Sequence, residues 1–459
     1  DLVFTSHPTM IYDINGNIRD KKPTISDEIN EIDYFVNNVL NYLNSNKISN
    51  IKISSWCGGD RDGHPYITND ISNKLLSKIN GKYDLDIRDN SKKIDIFIEE
   101  YNLNKDIKNQ FINDFDFSTV QDNLIDLIKL MYDDQRFIIS DCEEYYHIYF
   151  IYKVSKFFDK KIKIVPLFES TKCLKNSIDI IKICIQTKIY QDKIEIMLAY
   201  SDTTKTGGVI DSTFQLYNVQ KKLIDLGKIY GKEIIFFHGR GGSFPRGGGS
   251  YLDFFNRIPD ECLTKLRVTV QGERIYHEFG DDKKIESTLN EIINSHKERV
   301  SNLHNYTNDY LLKIEKISDL TRLEYNKFIN EDIINFFVNC THQEELSNLN
   351  CGSRPSKRSS KKINLEDIRT ITWIFGWASI NFYLPWWLGY NIEFYNFTLT
   401  NEFKPWDVLQ KGIRKGLNDT IPTLNINKDL ISKFIQVNTI INSKKENLIN
   451  KVIERKFVG

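Results

Sequence analysis

Four apolar runs, each ending in a residue able to do chemistry, constrain this chain more than any other feature. KIKIVPLFES carries Glu169 at its end, KIEIMLAYSD ends in Asp202, KEIIFFHGRGG reaches His238 and Arg240, and LRVTVQGE reaches Gln271 and Glu273. Glu169, Asp202, His238 and Gln271 follow one another at intervals of 33, 36 and 33 residues. Such intervals fit a strand, a crossover helix and the next strand, and strands joined by crossovers lie parallel. The polar groups then gather at the C-terminal ends of the strands, where barrels and open α/β sheets build their sites. DLVFTSH with His7, NIKISSWCGGDRDG, and YDLDIRD with Arg88 fit the same scheme. That makes seven candidate strands, with the eighth not distinguished. The expected fold is α/β: a (β/α)8 TIM-type barrel with extensive additional α-helices, helix-rich overall. One domain over 1–459 is expected, with barrel strands within 1–275 and a helical C-terminal part over 285–459.

Helical periodicity supports the crossovers. In DEINEIDYFVNNVLNYLNS, Ile29, Ile32, Phe35, Val36, Val39 and Leu40 share one face. STFQLYNVQKKLIDLGKIYG is helical and should stop at Gly231. WIFGWASINFYLPWWLGY is too short for the about 20 residues of a membrane span and is broken by Asn381 and Pro385, so a buried helix is expected. The stretch 350–363, NCGSRPSKRSSKKI, reads as an exposed loop.

FFHGRGGSFPRGGGS admits two readings, a disordered RNA-binding segment or a strand end presenting arginine and backbone to an anion. Lys+Arg and Asp+Glu both number 62, so the formal net charge is zero, which argues against nucleic acid or an acidic membrane as partner. The stretch also follows an apolar strand directly, and the anion site is the better reading. Seven scattered cysteines without a CxxC pair point to a reduced, cytoplasmic setting.

Glu169 and Asp202, one unit apart on the same face, form a candidate oxygen pair for Mg²⁺ or Mn²⁺. Two surface acids would read almost as well. Arg88, Arg240, Arg246 and Lys205 should converge on that face, with Arg354 and Arg369 folding over it; a cluster of guanidinium groups suits phosphate or carboxylate. A neutral chain with a local basic cup implies a small anionic substrate. His7 and His238 are candidates for proton transfer. GxxxxGK(S/T), HExxH and GxSxG motifs are all missing from the sequence.

At these residues the sequence resembles the bacterial and plant phosphoenolpyruvate carboxylases. TSHPTM resembles T-A-H-P-T-E, WCGGDRDGHP resembles W-x-G-G-D-R-D-G-N-P, and LDIR matches outright. VPLFES, AYSDTTKTGG, FHGRGGSFPRGGG, VTVQGE, GSRPSKR and IRTITWIFGWASINFYLPWWLG have counterparts in the same order, over residues 1 to about 390. The resemblance implies a carbon–carbon lyase that joins phosphoenolpyruvate and bicarbonate into oxaloacetate and phosphate, through carboxyphosphate and an enolate. It implies a divalent metal on Glu169 and Asp202, and anion binding by Arg88, Arg240, Arg246, Gln271, Arg354 and Arg369. His7 takes the proton from carboxyphosphate, and Lys205, His238 and Arg240 complete the catalytic set. A cytoplasmic homo-oligomer, tetramer or dimer, with an anaplerotic role is implied as well.

Met10, His64 and Thr206 depart from the family pattern, and Pro245 replaces a glycine. Only about fifty residues separate His7 from GGDRDG, so the chain is compact for the family. The sequence ends ERKFVG without the family's asparagine-containing tail, which predicts weak or absent feedback inhibition by aspartate or malate. Two other readings stay open: a catalytically degraded relative that binds a phosphorylated acid as an interaction protein, and another metal-dependent enzyme acting on a phosphorylated or keto acid.

Overall fold

The structure, a computed structural model, describes residues 2–7, 19–62, 64–79, 81–105, 115–239, 249–342, 352–353, 365, 368–410, 412–413 and 415–416, apart from the side chains of 2–7, 273, 340 and 371. Among these residues nine strands form one sheet: β1 (Leu2–His7), β2 (Ile51–Ser55), β3 (Asp84–Leu85), β4 (Ile87–Asn90), β5 (Arg136–Ser140), β6 (Lys163–Phe168), β7 (Lys193–Ala199), β8 (Glu233–Gly239) and β9 (Leu266–Gln271). Their order is β3-β2-β1-β9-β8-β7-β6-β5-β4, and every pairing is parallel. All seven expected strands are present, and the spacing argument was right about their direction. β5, RFIIS, is a further strand of only five residues that was not among those expected.

Parallel strands must be covered on both faces, and the side chains obey this. Along β8, Phe236 and His238 face the large core cluster that the helices share, whereas Phe237 joins Trp56, Ile138, Val165, Leu167, Met197 and Ala199 in a separate cluster on the inner face. The alternation of a strand thus assigns neighbouring residues to different compartments.

The helix Ile25–Ser45 starts at a capping box between Thr24 and Asp27 and buries Ile32, Phe35, Val36, Val39 and Leu43. Its expected face is borne out, although Ile29 and Leu40 are only partly buried. The helix Val209–Tyr230 ends at Gly231, whose φ of 63° lies in the left-handed region that an L side chain avoids. In the aromatic stretch, the helix Thr370–Ser379 buries Trp373 and Trp377 but leaves Phe375 exposed. It is shorter than expected, because Asn381 turns left-handed (φ 55°) and a 3-10 turn at Leu384–Trp386 follows. Gly352 and Ser353, at the start of the expected exposed loop, are instead buried. Most of that loop lies outside the described residues. Among the described residues, no helix is long and apolar enough to cross a membrane.

Candidate active site

The site is built where β2, β4, β6 and β7 end. After β2 the chain turns sharply through Trp56–Asp60, with Gly58 at φ 82°. Gly59 passes so close to the next strand that a Cβ there would sit 2.2 Å from the carbonyl oxygen of Asp86. Arg88 N donates to Gly59 O at 2.9 Å and Arg61 N to Arg88 O at 2.8 Å, which fixes the acidic loop beside β4.

Arg88 is the hub. Its Nη2 donates to Asp62 Oδ2 at 2.9 Å and to Glu169 Oε1 at 3.1 Å, its Nε donates to Ser140 Oγ at 2.5 Å, and Asp60 lies 3.7 Å from Nη1. The guanidinium also stands 5.5 Å from the centre of the Trp56 ring. Burial disfavours its charge, yet Asp60, Glu169, Asp62 and Asp202 together raise its pKa above the usual arginine value. Glu169 is pushed up to about 7, first by burial and then by the charges of Asp62, Asp202 and Asp141, against the pull of Arg88.

Asp202 lies in the first turn of the helix Ser201–Gly207. It accepts from Thr370 Oγ1 at 2.8 Å, and Lys205 Nζ lies 3.8 Å from the same oxygen. Lys205 is buried and donates to Ile368 O at 3.1 Å. Thr203 Oγ1 donates to Glu169 O at 3.0 Å and ties this helix to the end of β6. Asp62, Glu169, Asp202 and Lys205 all line one cavity of about 790 Å³.

The structure therefore gathers Arg88, Glu169, Asp202 and Lys205. Arg369 stands between Ile368 and Thr370, which touch Lys205 and Asp202. Gln271 pairs with His7 in register at the ends of β9 and β1. His238 is placed elsewhere: its fully buried ring meets the edge of Phe254 at 5.2 Å, and Nδ1 lies 2.8 Å from Tyr200 Oη, on the helix side of the sheet. Arg240, Arg246, Arg354, Met10, Pro245 and the C-terminal stretch lie outside the described residues, as does the side chain of His7. Among the described residues, Arg88 is surrounded by Asp60, Asp62 and Glu169, because the loop after β2 delivers Asp60 and Asp62; Lys205 stands beside Asp202, and the other arginines of the expected basic cup, apart from Arg369, lie outside the described residues. Neither acid is among the site residues expected from sequence, although two acids beside a glycine pair are the signal the loop carries.

The donor set suits a hard divalent cation. Arg88 is ion-paired with Asp60, Asp62 and Glu169 and also feels Asp202, while burial, reinforced by the neighbouring carboxylates, holds the Glu169 carboxyl above its ordinary value. Asp141 and Glu143 line the same cavity, and with the buried Cys173 they bring one ligand atom each within 4.8 Å of one another.

The family model for phosphoenolpyruvate carboxylase matches residues 11–126 and 73–415. The housekeeping isozyme of phosphoenolpyruvate carboxylase from a Saccharum hybrid is 33% identical over 245 residues, covering 51% of this chain and 25% of that protein. Phosphoenolpyruvate carboxylase of Amaranthus hypochondriacus is 32% identical over 243 residues, covering 51% and 25%. Phosphoenolpyruvate carboxylase 2 of Zea mays is 32% identical over 261 residues, covering 55% and 26%. The matched stretch spans about a quarter of the length of these relatives.

Proposed function

Because the chain belongs to the phosphoenolpyruvate carboxylase family, we propose that it converts phosphoenolpyruvate and bicarbonate into oxaloacetate and phosphate. The observation that carries this reading is the Arg88–Glu169–Asp62 cluster beside Asp202 at the C-terminal strand ends. Glu169 and Asp202 are the carboxylates to hold Mg²⁺ or Mn²⁺, which when bound supplies positive charge to phosphate and enolate oxygens. Arg88 orients Glu169 and, with Asp62, keeps the carboxylate aimed into the cavity. Arg369, with Arg240, Arg246, Arg354 and Gln271, binds the anionic groups of the substrates. His7 takes the proton of carboxyphosphate, so that carbon dioxide is released beside the enolate. Lys205, held between Asp202 and Ile368 O, adds a buried positive charge. His238 acts through Tyr200, which directly precedes the helix carrying Asp202.

The fold reading extends in the same way. β3 and β4, at the two ends of the strand order, are separated by Asp86 alone, and Asp86 N donates to Ser55 O at 2.7 Å. This supports one strand run closing an eight-stranded (β/α)8 barrel, carried by a single domain with a helical C-terminal part. A homo-oligomeric assembly goes with the family reading.

The test is oxaloacetate formation with Mg²⁺, followed through malate dehydrogenase and loss of NADH, with His7→Asn beside the parent. Bicarbonate-dependent loss in the parent and none in the variant supports the carboxylase. Phosphoenolpyruvate binding without turnover moves the chain to a binding role, and turnover independent of bicarbonate to another lyase or hydrolase.

A further inference from the structure

The N-terminal ends of the strands carry a second cavity, of about 560 Å³, lined by eight lysines and two arginines against two acids, Asp134 and Glu195. That is a dense concentration of positive charge in a chain whose formal net charge is zero. β7 alone, Lys193–Ala199, runs from this cavity to the helix that carries Asp202. At about 3.3 Å per residue the two sites stand about 20 Å apart, on opposite ends of the sheet.

The floor of the cavity is built rather than fortuitous. Arg267 is almost fully buried; its Nη2 bonds to Asp86 and Ser54 and its Nη1 donates to Glu195 at 3.0 Å. Arg136 donates through Nε to the same Glu195 at 2.9 Å. Burial alone would raise the pKa of Glu195, but Arg267, Arg136 and Lys163 outweigh it and hold the carboxyl below its ordinary value. The acids of the floor are thus fully engaged. Around the rim, Lys52, Lys156, Lys161 and Lys188 have no carboxylate within ion-pair distance among the described residues, and Lys156 rests over the Tyr152 ring at 5.8 Å. Ile162, Ile189 and Tyr190 supply an apolar wall between these cations.

We propose that this lysine-lined cleft binds a small, multiply phosphorylated anion. Several ammonium groups on flexible stems suit the dispersed charge of a di- or triphosphate, which needs charge more than a fixed fork. Bringing the lysines together without an anion costs mutual repulsion, and the ligand removes that cost. The site is separate from the carboxylate cluster and does not depend on the carboxylase reading.

Inorganic tripolyphosphate is the probe, titrated at constant ionic strength in Mg²⁺-free buffer while thermal unfolding is followed. A saturable rise in Tm of about 2–4 °C is expected at ligand well above Kd. The rise should disappear in Lys161→Glu/Lys188→Glu, whose own Tm should equal or exceed that of the parent because repulsion falls. If that variant unfolds early, Lys52→Gln/Lys156→Gln serves the same comparison. A rise that does not saturate, that persists in the variants, or that citrate reproduces at equal ionic strength overturns the proposal. Capture of an oligonucleotide without any response to tripolyphosphate overturns it as well.

Discussion

Glu28→Gln should stabilise this protein at pH 8 and leave it unchanged at pH 4. Glu28 is buried on the first helix, where its carboxyl oxygens accept Ser353 N at 2.6 Å and Ser353 Oγ at 2.8 Å; His64 Nε2 reaches the same hydroxyl at 2.8 Å. Burial, helped by Glu31, raises its pKa from 4.5 to about 7, although the Ser353 hydrogen bonds and Arg19 work the other way. Arg19 is paired with Glu31, and the Cys57 thiol close by is kept neutral by burial. The sign follows from proton counting. Between pH 4.5 and 7 the folded state holds a proton that the unfolded chain has released, so stability falls across that window and is flat above it. At about 1.4 kcal/mol per tenfold change in proton affinity, ionised Glu28 costs about 3 kcal/mol above pH 7. Gln keeps the shape and an acceptor for Ser353 N–H but cannot ionise. Urea midpoints of parent and variant at pH 4 and pH 8, read by tryptophan fluorescence, give the difference directly. The parent should lose stability from pH 4.5 to 7 by more than the variant does, by about 3 kcal/mol. A variant that is less stable than the parent at pH 8, with no such difference in pH dependence, would refute the reasoning and make ionised Glu28 a net stabilising anchor for Ser353.

Gly59→Ala should cost about 2–3 kcal/mol, since the added carbon meets backbone at Asp86 O and has no flexible neighbour to displace; the shift of the urea midpoint measures it. Asp86→Ala should cost about 3–5 kcal/mol, because it removes one of the two carboxylates, Asp86 and Glu195, that pair with the buried Arg267 guanidinium among the described residues; an unchanged midpoint would show that the charges at the strand N-termini contribute no net stability. Glu169→Gln should lower metal-dependent turnover by about 100-fold or more without lowering Tm, because it relieves crowding with Asp62 and Asp202; steady-state rates and a melting curve on the same sample separate these effects. EDTA should abolish turnover in the parent, and added Mg²⁺ or Mn²⁺ should restore it.

Local pattern in the sequence already determined much of this protein. The regular interval between apolar runs is a one-dimensional record of strand, crossover and strand, and it is enough for parallel strands that end at Gln271 or just before Glu169 and Asp202. The apolar face of Ile25–Ser45 and the stop at Gly231 are equally local, since helical periodicity and a left-handed cap need only neighbours. β5 escaped because five residues carry too little pattern to stand apart from a buried helix segment. Only the tertiary structure decided what the strand ends surround. His238 and Phe237 are adjacent in sequence, yet the pleat sends one to the helices and the other inside, and which face is which depends on the whole sheet. Arg88 meets Glu169 across 81 residues, and Glu28 meets Ser353 across 325. No propensity or spacing encodes such pairs, because their partners become neighbours only once the sheet and its helices have packed.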